Sequence, residues 1–191
     1  MTAQDLELLR KIPRRRKVQL RGRIKPHTAQ FIVGKLKKMG RSDKPIRLNI
    51  HSRGGDYLPA LEICNAIAKS RAPVYAVASL AASSAFVILQ ACHLRVGRVG
   101  SYYKAKPARI PLTLSVDPYT DEKLLASVTE EIATKSLKPH VKEAWKRAHD
   151  ILLARAQKVG KTEQELHGLL AHGGTVLTAK EAKKWGFLDV I

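Results

Sequence analysis

The hydrophobic positions of the first hundred residues alternate between short strand-like stretches and longer helix-like ones. Val18-Gln19-Leu20 reads as a first strand, and Ile46-Arg47-Leu48-Asn49-Ile50 repeats with the period of two that half-buries a strand. Between them Pro26 and Thr28 open a helix in which Phe31, Ile32, Leu36 and Met39 recur on one face, with Gly40 placed to end it. Pro59 opens a second helix carrying Leu61, Ile63, Ile67 and Ala68, and residues 74–78 form an apolar run of strand length. A helix expected after Ser83, with Phe86, Val87, Ile88 and Leu89, is apolar on every side and belongs at the centre of the fold. Residues 94–96 and 102–105 read as two short strands. Strands alternating with helices predict an α/β fold with a parallel sheet.

The flanks read differently. Residues 1–16 look like an N-terminal arm in which Leu6, Leu8 and Leu9 make a short amphipathic turn before Pro13, leaving residues 17–191 as one domain. A proline-marked loop over 107–118 precedes helical stretches at 121–137 and 139–159, broken at Pro139. One carries a stripe of Leu124, Val128 and Ile132 and the other Trp145, Leu152 and Ala156, more apolar surface than one small domain covers, so self-association through 121–159 is expected. Thr162 with Glu165, and Thr178 with Glu181, each have the spacing of a capping box.

Charge changes this picture. Lys and Arg number 35 against 16 Asp and Glu, a net charge of +19. Residues 10–53 hold 16 of the basic residues and a single acid, Asp43. Arg14-Arg15-Arg16-Lys17 suits a solvated arm or a docking site for an acidic partner; aromatic residues do not interleave with the run, so nucleic acid is only weakly supported. Cys64 and Cys92 have neither zinc-site spacing nor the count of a disulfide scaffold, which predicts buried free thiols. No apolar run reaches membrane-spanning length and the start is polar, so a soluble cytoplasmic protein is expected.

Two small-residue turns carry the candidate chemistry. One is Ser52-Arg53-Gly54-Gly55-Asp56 after a strand, and the other Ser79-Leu80-Ala81-Ala82-Ser83-Ser84 at a helix start. Paired glycines let backbone N–H groups face a site, and a serine at a helix start sits beside free N–H groups, the two parts that a nucleophile and an oxyanion hole need. Gly55 and Ser83 are 28 residues apart, room for a helix and a strand that bring both turns to one end of a parallel sheet. Asp56 reads as a turn-capping residue.

In these blocks the chain resembles the Clp-type serine peptidases, within the wider group that includes crotonase and signal-peptide peptidase A. Residues 46–55 are similar to the family's strand followed by Asn-Ser-Pro-Gly-Gly, with His51, Ser52 and Arg53 at the first three positions. Residues 79–83 are similar to Gly-Gln-Ala-Ala-Ser, and Leu177-Thr178-Ala179-Lys180-Glu181-Ala182 with Gly186-Phe187-Leu188-Asp189 resembles the closing signature. The resemblance spans roughly residues 17–191 and implies a Clp/crotonase-like α/β fold of repeated β-β-α units with a long helical handle at 121–159. It also implies Ser83 as nucleophile, Gly55 and Ser84 N–H groups as the oxyanion hole, peptide or protein substrates, and a homo-oligomeric ring. An ATP-dependent unfoldase is a further implied partner, at the basic N-terminal face. No metal or organic cofactor is called for, and no Gly-x-x-x-x-Gly-Lys motif is present.

The base and the acid depart from that pattern. Lys106 stands where the family has its histidine, with Lys104 the alternative on a one- or two-residue slip, and Gly174 stands where it has its aspartate. Lys106 in a Ser-Lys dyad, His172 or His51 from elsewhere, or a degenerate site all remain open. His93, His140, His149 and His167 read as isolated surface or capping residues without a metal-ligand pattern. The leading expectation is a Clp-like serine peptidase subunit; a catalytically inactive structural or adaptor subunit and a crotonase-type acyl-CoA enzyme are the alternatives.

Overall fold

In the computed structural model the described residues are 7, 9–106, 139–171 and 174–191. The loop expected at 107–118, the helix at 121–137 and His172 lie outside them. The chain runs β1 (Lys17–Ile24), α1 (Pro26–Met39), β2 (Ile46–Gly55), α2 (Tyr57–Ala68), β3 (Val74–Ala82), α3 (Ser84–Ala91) and β4 (Leu94–Lys104). It continues with α4 (Pro139–Gln157), α5 (Glu163–Leu170), β5 (Val176–Thr178) and α6 (Ala179–Lys184). The class is α/β. No helix among the described residues is long and apolar enough to cross a membrane.

The five strands lie side by side in chain order, β1 to β4 parallel and β5 antiparallel to β4. Parallel neighbours require a crossover, and α1, α2 and α3 supply the three that are needed. Alternation decides which face they cover. Ile46, Leu48 and Ile50 of β2 and Val74, Ala76 and Ala78 of β3 join Ile32, Leu36, Ile63, Ile67 and the apolar helix α3 in one core. Full burial of each Leu or Ile there contributes about 1.5–3 kcal/mol. The opposite face carries a smaller cluster in which Val77 and Val96 meet Leu9, Ile12 and Val190. Leu9 and Ile12, from the segment read as an arm, are thus buried against the sheet.

Several local expectations are changed by packing. Phe31 is 61% exposed, because Ala29, Ile32 and Leu36 turn the buried face of α1 away from it; Lys35 lies over its ring. The two short strands at 94–96 and 102–105 are one strand, β4, paired to β3 through residues 94–97 and 102–104 with an irregularity between. Arg16, from the basic run, donates to the carbonyls of Pro45 and Met39 and so ties the start of β1 to the turn after α1. Leu152 and Ala156 of α4, expected on an intermolecular stripe, are buried within the chain. Both capping boxes form as the spacing predicts. Cys64 and Cys92 are buried free thiols.

Candidate active site

The register of the sheet breaks at one level across three strand pairs: at Arg21/Arg23 between β1 and β2, at Ile50/His51 between β2 and β3, and at Ala78/Leu80 between β3 and β4. Irregularities of this kind bend strands and re-aim the residues beyond them, and they gather beside functional sites. Past the break, the end of β2 becomes the glycine turn and the end of β3 delivers Ser83.

Ser83 is the N-cap of α3 and has φ 55, ψ −129, the only non-glycine residue with positive φ among the described residues. Its N–H donates to the Lys104 carbonyl at 3.0 Å, and its own carbonyl accepts from the Phe86 N–H at 2.9 Å. The conformation is therefore held from both sides, by β4 and by the first turn of α3. Among the described residues the Ser83 hydroxyl has no hydrogen-bond partner, and neither have the N–H groups of Ser84 and Ala85, which open the helix.

The glycine pair comes to Ser83 as the spacing implies, with one correction. Gly54, at φ +94, is the glycine against it: a Cβ there would lie 2.6 Å from the Ala82 carbonyl oxygen, 3.0 Å from the Ser83 Cβ and 3.1 Å from the Ser84 nitrogen. Gly55 is turned towards β1, where a Cβ would overlap the Ile24 backbone. The Gly55 N–H, expected as an oxyanion donor, donates instead to Ser84 Oγ at 2.9 Å, and that hydroxyl donates back to the Gly55 carbonyl at 3.1 Å. The Gly54 N–H donates to Ser52 Oγ at 3.0 Å, and the Ser52 hydroxyl donates to the Gly22 carbonyl at 2.6 Å. Ser52 and Ser84 thus lock the turn in place, a structural use of buried hydroxyls that the motif alone did not signal.

Beside the turn lies a cleft of about 490 Å³ lined by Gly22, Arg23, His51, Arg53, Gly54, Gly55 and Leu80. Three basic side chains reach it. Arg23 pairs with Asp56 at 3.5 Å, so Asp56, although at the N-cap of α2, makes no side-chain capping bond and faces Arg23 instead. His51 Nδ1 is 2.9 Å from Ser79 Oγ.

Lys106 follows β4 by two residues and is half-buried. Among the described residues its amine makes no hydrogen bond to Ser83. Gly174 is brought against it: a Cβ at Gly174, which has φ +82, would overlap the Ala105 carbonyl and lie 2.8 Å from Lys106 Cα. The two positions that depart from the resembled pattern are therefore neighbours, and the second has no room for a side chain.

Elsewhere, His149 and His167 do not stand apart as expected. Packing of α4 on α5 sets their Nε2 atoms 3.2 Å from each other, with Glu163 Oε1 3.8 Å from both. The spacing of Glu163 and His167, four residues apart on one helix, was the available signal.

Comparison with curated proteins gives no match. The Clp protease family profile matches residues 2–99, about half of the chain and the part that contains the glycine turn and Ser83. The chain belongs to the Clp protease family.

Proposed function

We propose that the chain is a serine-type peptidase subunit that cleaves peptide bonds in protein substrates through an acyl-enzyme on Ser83. The backbone of Ser83 carries this reading. A non-glycine residue in such a conformation costs about 1–3 kcal/mol and persists where surrounding structure over-determines it, commonly at functional sites. At a strand-to-helix turn it lifts a nucleophile clear of both elements, beside helix-start amides that have no partner among the described residues.

In this mechanism Ser83 Oγ attacks the substrate carbonyl carbon, and its proton passes to the Lys106 amine. The tetrahedral oxyanion is received by the Ser84 N–H at the positive end of α3, with Gly54 keeping the approach open. Collapse expels the amine of the leaving peptide, which takes the proton back from Lys106; water then repeats the sequence on the acyl-enzyme. Gly55 acts through Ser84, holding its hydroxyl.

A second reading, a catalytically silent subunit kept for assembly, is favoured by Gly174, where no carboxylate can be accommodated to orient a base. In either reading we propose a ring of subunits, with the basic surface of residues 10–53 facing an acidic partner or an unfoldase. Hydrolysis of a fluorogenic peptide and of an unfolded protein across a pH series separates the two. The peptidase reading expects turnover that falls at least ~1,000-fold in Ser83→Ala, in line with loss of a serine nucleophile, and a loss in Lys106→Ala that Lys104→Ala does not share. Wild-type protein without turnover at any pH, or turnover unchanged in Ser83→Ala, overturns it.

A further inference from the structure

His149 projects from α4 to meet Glu163 and His167 on α5, and one ligand atom from each of the three lies within 4.8 Å of the others. We propose that these residues form a binding site for a zinc-class transition-metal ion, with water in the fourth position, that clips α4 to α5. The site is independent of the Ser83 chemistry.

The distances fit that chemistry. Two imidazole nitrogens bound to one zinc at ~2.0–2.1 Å in tetrahedral geometry stand roughly 3.3 Å apart. The Nε2 atoms are 3.2 Å apart. Glu163 Oε1 is 3.8 Å from each, so the carboxylate needs to close by about half an ångström to reach the ~2.0–2.2 Å of a zinc–oxygen bond. Its side chain is 57% exposed, which leaves it free to rotate inwards. Because Glu163 and His167 are separated by one helical turn, α5 holds them on the same face, and α4 needs to contribute only His149.

Tautomers carry the switch between the two states. Without a metal, one Nε2–H donates to the other Nε2. With a metal, both protons sit on Nδ1 and both Nε2 lone pairs point at the ion. The ligand set, two imidazoles and a carboxylate, suits zinc, cobalt and nickel better than calcium or magnesium, which take all-oxygen ligand sets.

The test uses the full chain without a polyhistidine tag, stripped of metal by a chelator. Zinc is titrated by calorimetry, and cobalt by the visible absorption of its tetrahedral complex. One equivalent is expected to bind. His149→Ala and His167→Ala should each weaken it by more than the ~10–100-fold of altering an outer partner, and Glu163→Gln by a smaller factor. The double variant His149→Ala/His167→Ala, which leaves the other 5 of the 7 histidines in place, should lose the equivalent and the zinc-induced rise in Tm. Circular dichroism confirms that it folds. Equal stoichiometry and affinity in the double variant and the wild type, or no tight equivalent in the wild type, overturns the proposal.

Discussion

Replacing Ser83 with glycine should stabilise the protein relative to replacing it with alanine. Both changes remove the same hydroxyl, which has no hydrogen-bond partner among the described residues, and both keep the backbone bonds to Lys104 and Phe86. They differ at φ 55, ψ −129, where alanine retains the steric cost of a Cβ and glycine does not. That cost is about 1–3 kcal/mol. Against it stands the greater freedom of glycine in the unfolded chain, about 0.4–1 kcal/mol. The difference favours Ser83→Gly by about 1 kcal/mol, or ~2–4 °C in Tm for a chain of this size. Urea unfolding of the two variants at one protein concentration measures it directly. Ser83→Val should be the least stable, because a β-branched residue tolerates positive φ worst. If Ser83→Gly were instead less stable than Ser83→Ala by ~1 kcal/mol, the entropy term alone would account for the pair, and Ser83 would store no strain.

The same fold makes further results predictable. Asp189 binds both the guanidinium and the N–H of Arg95, whose side chain is 4% exposed and whose Nε and Nη1 have no partner among the described residues; Asp189→Ala strands that charge and should cost about 3 kcal/mol in urea unfolding, the low end for a broken buried pair, whereas a cost under ~1 kcal/mol would show that the pair is not needed. Glu165 is held below the ordinary carboxylate range by the Lys161 ammonium and then by the Thr162 N–H, and Glu181 by the Thr178 N–H. With folded pKa values depressed, their contribution is full above the ordinary carboxylate range and is lost as pH falls through the folded values, so amide exchange in α5 and α6 should accelerate on acidification; exchange independent of pH after correction for intrinsic rates would refute it. Burial pushes the Cys64 thiol up to about 12 and raises the Cys92 thiol further, so neither should react with a disulfide reagent at neutral pH until the chain unfolds; prompt modification of the folded protein is the contrary result.

What the sequence revealed and what it hid divide along the range of the interactions. Both capping boxes were legible because Thr and Glu three residues apart settle their geometry within one turn. The three strand–helix crossovers were legible because hydrophobic period and length specify each element almost alone. The glycine that faces Ser83 was not. It depends on the register breaks at His51 and Ser79, which rotate the strand ends by an amount no local pattern encodes. Phe31 is exposed against its pattern for a related reason: it lies one residue from Ile32 on the helix, and only the position of the sheet decides which of the two is buried. His149 and His167 are 18 residues apart and meet through the packing of two helices, so only the Glu163–His167 half of that cluster was written locally.

An activated Ser83 nucleophile reveals itself by covalent labelling. The full chain is treated with a fluorophosphonate across a pH series, and the adduct is read by intact mass and located by peptide mapping. One adduct per chain is predicted, on Ser83 and absent in Ser83→Ala. No adduct at any pH, or an adduct that persists in Ser83→Ala, would contradict the claim.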